Sequence, residues 1–198
     1  MAAGLSLAHE LGHFLIEAHR PREGLLMECA LGDLFLLSPR DKDRRRRIEG
    51  EANRFAAHLL MPRKRIREYI GYKGTSIETI VAMASDMNVS KEAMARAFVD
   101  AHHEPVAIVV ARHGKLERFY RSEDFPFLPL SKGDPLPSGT LSSDPIEAGQ
   151  FTEAEKIEAD EWFDDRQANR GLALTEQALG QAKGYSLTLL QTELDDEE

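Results

Sequence analysis

Apolar residues recur at helical spacing in the first half of the chain. Between residues 48 and 60 they form one stripe, whose members are Ile48, Ala52, Phe55, Ala56 and Leu59. Apolar positions three and four apart on one face are typical of an amphipathic helix. Met61 should end the helix, because Pro62 disfavours helical backbone in the residue before it. The pattern predicts a helix over 48–60.

Residues 75–102 predict two more helices, separated by a break at 88–90. This layout resembles a helix-turn-helix. Base readout uses exposed Arg, Asn or Gln in basic surroundings. The second helix offers only Lys91 and Arg96 as cations, beside two acidic residues. We therefore favour packing against the preceding helices over DNA binding for this segment.

From residue 104 the pattern changes to strands. Residues 105–121, "PVAIVVARHGKLERFYR", predict a hairpin that turns at His113 and Gly114. Residues 171–194 predict a second, closing hairpin. Residues 24–37 alternate enough for a further hairpin nearer the start of the chain.

Between the two later hairpins, residues 125–145 are rich in Pro, Gly and Ser and predict a long ordered loop. Residues 152–163 predict a short helix, with Thr152 as its cap and Glu155 in the capping-box position. Trp162 and Phe163 are aromatic candidates for lining a ligand pocket, although core packing is favoured.

These patterns predict an α+β protein in three parts. Residues 1–72 form a helical domain, residues 73–103 a helix-turn-helix-like segment, and residues 104–198 a small α+β domain. The glycines of "GYKG", residues 71–74, are a candidate hinge after the first part.

The composition is that of a soluble globular protein, with 198 residues of which 42% are hydrophobic and 30% charged. No apolar run reaches the ~18 residues of a membrane helix, and the N-terminus lacks the basic leader of a signal peptide. The single cysteine, Cys29, excludes an internal disulfide. A cytoplasmic location is therefore expected.

The net charge of -9 is unevenly spread. Residues 1–74 hold 14 Lys and Arg against 10 Asp and Glu, whereas residues 75–198 hold 11 against 24. Phosphate neutralisation needs clustered cations, so this distribution argues against a dedicated nucleic-acid binder.

The stretch "LAHELGHFLIEAHR" contains the pattern His-Glu-x-x-His at His9, Glu10 and His13. On a helix, residues four apart share a face, so both imidazoles would point to one spot, as two ligands of a tetrahedral zinc ion do. Glu10 would then be the general base. Gly12 would allow another element to approach this face closely. The motif alone is also compatible with a structural histidine pair.

Zinc needs a third protein ligand, and the helix over 48–60 offers two carboxylates. Glu49 lies near one edge of the apolar stripe, where a carboxylate needs a partner such as a metal ion. Glu51 lies on the opposite edge and is expected to be solvated. We favour Glu49, with Glu51 as the alternative, and Asn53 could hold a ligand in place.

The segments "LAHELGHFL" and "IEGEANRFAAHLLMP" resemble the ImmA/IrrE family of metallopeptidase-like bacterial regulators. The resemblance implies a thermolysin-like, gluzincin-type zinc peptidase domain in which His9, His13 and Glu49 bind zinc and Glu10 activates water. It is strong over residues 5–72. More weakly, it implies a helix-turn-helix-like segment and a GAF-like C-terminal domain.

The family normally supplies strands upstream of the motif helix, whereas eight residues precede His9 here. The edge strand that would pair with a substrate backbone would then have to come from residues 24–37. The alternatives are that the sequence begins downstream of the natural start or that the cleft is incomplete.

An oxyanion would need a further donor, for which the candidates are His58, Tyr69 and Tyr72. Each of them fits a packing or surface role better. The remaining histidines are expected to be surface or structural residues: His19, His102, His103 and His113. Cys29 is expected to be a small buried hydrophobe, with a thiolate that reaches the metal as the alternative.

The leading functional hypothesis is a metalloendopeptidase with Zn²⁺ as its cofactor. By resemblance, its substrate would be a transcriptional repressor or antitoxin-like protein, cleaved in a stress or mobile-element response. One alternative is a metal-stabilised module that binds a partner protein without cutting it. A DNA-binding regulator acting through residues 75–100 is the other alternative.

Overall fold

The computed structural model describes residues 3–19, 39–163 and 173–192. Within them the chain forms five α-helices and one five-stranded antiparallel sheet, so the predicted α+β class is confirmed. The chain divides into two compact units. The first comprises Met1–Pro62 with Met87–Ser90, and the second comprises Arg63–Asp86 with Lys91–Glu198. The hairpin predicted over 24–37 and Cys29 lie outside the described residues.

The first unit contains α1 (Ala3–Leu15), a short 3-10 turn (Glu17–His19) and α2 (Pro39–Leu60). Helix α2 begins nine residues before the predicted start. A proline suits this position, since its φ is helical and its missing N–H has no partner in the first turn. The helix ends, as predicted, just before the Met61-Pro62 pair.

The apolar stripe of α2 forms much of the first unit's interior, although not all of it is buried. Ile48, Ala52 and Ala56 are buried, whereas Leu59 is 48% exposed. Helix α1 crosses this stripe at Gly12, where an added Cβ would lie 3.1 Å from Phe55 Cδ1. The expected close approach at Gly12 is therefore confirmed.

The second unit begins with α3 (Arg63–Lys73), α4 (Ile77–Asp86) and α5 (Lys91–Ala101). The break between α4 and α5 falls at residues 87–90, as predicted. Gly71 lies inside α3, and Gly74, with a φ of +82°, follows its last residue. A residue with left-handed φ after a helix satisfies its last carbonyls, so Gly74 ends the helix.

The sheet consists of β1 (Val106–Arg112), β2 (Lys115–Arg121), β3 (Glu155–Ile157), β4 (Leu174–Gln181) and β5 (Tyr185–Thr192). Its order is β2-β1-β5-β4-β3. The hairpins predicted at 105–121 and 171–194 are confirmed. His113 and Gly114 both have positive φ, which a tight turn between twisted strands requires.

The helix predicted over 152–163 is wrong. Residues 155–157 form β3, which pairs with β4, and only residues 159–161 make a short 3-10 turn. Thr152 does not cap a helix, because its Oγ1 accepts a hydrogen bond from the Ala178 N–H at 2.8 Å. Pairing with β4 thus outweighs the local capping signal.

Buried side chains of α4 and α5, such as Ile80 and Phe98, form part of the second unit's interior. A hydrophobic core also lies under the long loop predicted at 125–145. Trp162 and Phe163 are buried in it, which confirms packing as their role. Trp162 donates its indole N–H to the buried Glu176 carboxylate at 3.2 Å. None of the helices in the described ranges combines the length and apolarity that crossing a bilayer requires.

Candidate metal centre

Helices α1 and α2 bring three ligand-type side chains to one point. His9 Nε2 lies 3.0 Å from His13 Nε2. The Glu49 carboxylate lies 3.3 Å from His9 Nε2 through one oxygen and 3.6 Å from His13 Nε2 through the other. All three residues are partly buried. Among the described residues, this is the group of His, Cys, Asp and Glu side chains whose geometry suits a metal ion.

Asn53 sets the direction of the His9 lone pair. Its Oδ1 lies 2.9 Å from His9 Nδ1, and an amide oxygen can only accept a hydrogen bond. The proton of neutral His9 therefore lies on Nδ1, and Nε2 presents its lone pair to His13 and Glu49. The expectation that Asn53 holds a ligand in place agrees with this contact.

The donor set fits a metal ion. Two imidazole lone pairs and a carboxylate repel one another at these distances unless a metal ion or a shared proton lies between them. Ligand atoms of a tetrahedral zinc ion lie about 3.3 Å apart when zinc–ligand distances are about 2.0–2.1 Å. The His9–His13 separation of 3.0 Å and the His9–Glu49 separation of 3.3 Å lie near that value. Two His nitrogens and one Glu oxygen are also the ligand types of known catalytic zinc sites.

Glu51 points to another partner. Its Oε2 lies 3.0 Å from His19 Nε2, and its Oε1 lies 4.0 Å from the Arg47 guanidinium. The prediction of a solvated Glu51 is therefore wrong, and Glu49 is the α2 carboxylate that faces the histidine pair. From the sequence, His19 is expected to be a surface or a structural residue, and at 3% exposure it is a structural one. Helical periodicity does not predict its contact with Glu51, because His19 lies beyond the end of α1.

Glu10, the expected general base, lies on α1 beside His9 and is exposed. No hydrogen bond or ion pair connects it to another described residue, so its carboxylate is accessible. His58, a candidate oxyanion donor, is also exposed, near the end of α2.

The other two oxyanion candidates belong to the second unit. Tyr69 donates its hydroxyl to Asp86 Oδ2 at 2.9 Å. That hydrogen bond raises the pKa of Tyr69, since the carboxylate stabilises the protonated phenol. Tyr72 is 83% exposed. Surface roles, as the sequence favoured, describe both residues.

Comparisons with known proteins agree with this geometry. Residues 4–98 match the peptidase family model described as the IrrE N-terminal-like domain. The match includes α4 and most of α5, although the sequence pattern predicts a separate segment there. No curated protein matches the chain.

A solved structure of a Mycobacterium tuberculosis transcriptional regulator shares the fold, with a TM-score of 0.52 and 15% sequence identity. The alignment covers 96% of this chain and 63% of the mycobacterial chain, so this protein spans less than two thirds of that relative's length. Over residues 4–98, this protein contains an IrrE N-terminal-like domain of a metallopeptidase family.

Proposed function

We propose that the chain is a zinc-dependent metalloendopeptidase that cleaves a protein with a regulatory role. One observation carries the proposal: His9, His13 and Glu49 present two imidazole nitrogens and a carboxylate to one point. Hydrolytic zinc sites use such a set of three protein ligands and leave the fourth position for water.

Each residue of the motif has a distinct role. His9, His13 and Glu49 hold the ion, and Asn53 fixes the His9 ring through Nδ1. When bound, zinc supplies Lewis acidity that lowers the pKa of a water molecule and polarises a peptide carbonyl. Glu10 would act as the general base and acid, which takes up a proton from the attacking water and releases it to the leaving amine.

The proposed substrate is a protein that regulates gene expression, such as a repressor or antitoxin-like partner, in a stress or mobile-element response. Two findings support a regulatory setting. The family description is that of an IrrE-like domain, and the structural neighbour is titled a transcriptional regulator.

The contacts of α5 do not favour DNA binding by this helix. The Arg96 guanidinium lies 5.9 Å from the centre of the Tyr120 ring, and Tyr120 donates its hydroxyl to Glu92 at 2.8 Å. Glu92 also pairs with Arg118 at 3.0 Å. Glu92 and Arg96, which a DNA-binding α5 would turn toward the bases, therefore contact side chains of β2 instead.

Glu10→Gln tests this function. The zinc-loaded protein is incubated with a peptide library from digested bacterial protein, and new amino termini are identified by mass spectrometry. We expect wild type to generate them and Glu10→Gln to generate none while still binding zinc. Glu17→Gln changes another exposed acidic residue of the first unit and should cleave like wild type.

Cleavage that survives Glu10→Gln would contradict the assigned mechanism. Wild-type protein that binds zinc but yields no new termini would favour the module that docks a partner without cutting it.

A further inference from the structure

We propose that Glu51 and His19 are positioning residues for His13. In this arrangement the Glu51 carboxylate fixes the His19 ring, and the His19 ring holds the His13 imidazole in the orientation that binds metal. This inference rests on the proposed function, since it concerns the same metal centre. Neither Glu51 nor His19 would contact the metal itself.

The 3-10 turn after α1 places His19 against His13. The Ile16 N–H bonds to the Gly12 carbonyl at 3.0 Å, and the His19 N–H bonds to the Ile16 carbonyl at 2.9 Å. The chain thus turns tightly at the helix end. As a result, the ring centres of His13 and His19 lie 5.1 Å apart, with the planes tilted by 50°.

The hydrogen bond to Glu51 fixes the His19 ring. Nε2 donates to the Glu51 carboxylate at 3.0 Å, while the buried Nδ1 has no hydrogen-bond partner among the described residues. Burying a nitrogen without a partner costs stability. Space filling alone therefore does not explain a histidine here, whereas a ring anchored at one end by a carboxylate does.

The two histidine ligands are held in different ways. The His9 ring is oriented by its Nδ1 hydrogen bond to Asn53. No such bond connects His13 Nδ1 to a residue in the described ranges, so packing by His19 supplies the constraint. Three residues of α2, spaced two apart, therefore serve the same metal centre. Glu49 is a ligand, Glu51 holds His19, and Asn53 holds His9.

Orientation of this kind affects metal affinity. A ring that is already held in its ligand orientation loses less conformational freedom when metal binds. Groups that orient metal ligands from outside typically change metal affinity about 10- to 100-fold when they are removed. A comparable effect is expected for Glu51.

Zinc affinity, measured by competition with a chromophoric chelator, tests the proposal. We expect Glu51→Ala and His19→Ala to weaken zinc binding about 10-fold or more. Glu51→Gln keeps an oxygen acceptor for His19 and should restore most of the affinity. Arg47→Ala removes the other contact of Glu51, at 4.0 Å, and should leave affinity unchanged.

The double variant Glu51→Ala/His19→Ala tests whether Glu51 acts through His19. The double variant should bind zinc no more weakly than His19→Ala, because the two residues form one chain of contacts. Thermal unfolding of the metal-free variants is measured in parallel. A purely structural role would lower their stability without changing affinity among the folded molecules, and the Co²⁺ absorption spectrum would stay that of wild type.

Wild-type affinity in Glu51→Ala, or additive losses in the double variant, would overturn the positioning role while leaving the metal centre intact. Failure of the metal centre looks different, since wild-type protein would then bind no zinc at all and the positioning role would fall with it. Failure of peptidase activity alone leaves zinc binding, and therefore this test, intact.

Discussion

At the scale of single residues, metal binding depends on which ring nitrogen of His9 and of His13 presents a lone pair. The sequence predicts the His9 and His13 pair because helical spacing alone brings both rings to one face. It also ranks Glu49 above Glu51 correctly as the carboxylate that faces this pair. The Glu51–His19 contact could not be predicted, because it depends on a chain reversal after α1 rather than on periodicity.

Asn53→Ala should weaken zinc binding about 10-fold, because His9 loses the acceptor that keeps its proton on Nδ1. Asn53→Asp retains an oxygen at the same place and should bind zinc at least as well as wild type. Competition with a chromophoric chelator measures both. Equal affinity in Asn53→Ala and wild type would show that the hydrogen bond does not orient the ligand.

At the scale of elements, the distance between α1 and α2 decides whether the ligands can meet. Gly12 permits this distance, since an added Cβ would lie 3.3 Å from the Ala52 Cα and 3.4 Å from its carbonyl oxygen. Backbone atoms cannot move aside as a flexible side chain can. The sequence indicated this contact, because a glycine on the motif face leaves room for a second helix.

Gly12→Val should lower the free energy of unfolding by about 1–3 kcal/mol, as overpacking typically does. It should also weaken zinc binding, because the helices separate. Gly50→Val is the matched control, since nothing lies within 4 Å of an added Cβ there. It should change stability by no more than about 0.5 kcal/mol. Chemical unfolding measures both variants, and equal effects would contradict a tight helix contact at Gly12.

Sequence signals at this scale fail where a partner distant in sequence competes with a local preference. Thr152 and Glu155 form a capping pattern, yet Glu155–Ile157 pairs with β4. The hairpins at 105–121 and 171–194 were predictable because their turns and alternation are local. The order of the strands was not, since β1 lies between β2 and β5 through pairings far apart in the chain.

At the scale of the whole molecule, the chain divides into a unit that carries the metal centre and a unit built on the sheet. The second unit contains a buried carboxyl, Glu176, that the proposed reaction does not use. Burial raises the pKa of Glu176, while hydrogen bonds from Trp162 and from the backbone and side chain of Ser142 partly oppose this. Protonation of Glu176 is therefore more favourable in the folded chain than in the unfolded chain.

Glu176→Gln tests this carboxyl through the pH dependence of stability. A raised folded pKa gives stability that is present below the unfolded pKa and is lost as pH rises through the folded value. Glutamine has no such loss, so the stability of the variant relative to wild type should rise as pH increases from the ordinary carboxyl pKa through the raised folded pKa. Glu153→Gln, at an exposed site, provides the baseline. A stability difference that is independent of pH would refute the raised pKa.

The metal content of the purified protein shows whether His9, His13 and Glu49 form a three-ligand metal centre. Wild type, His13→Ala and Glu49→Ala are purified without chelators, supplied with zinc, and analysed by native mass spectrometry. His58→Ala and Glu17→Ala, which alter exposed residues of the same types, are the matched controls. We expect about one zinc ion per chain in wild type and both controls, and loss of zinc in His13→Ala and in Glu49→Ala. A wild-type protein without zinc, or a Glu49→Ala variant that retains it, would rule out this three-ligand centre.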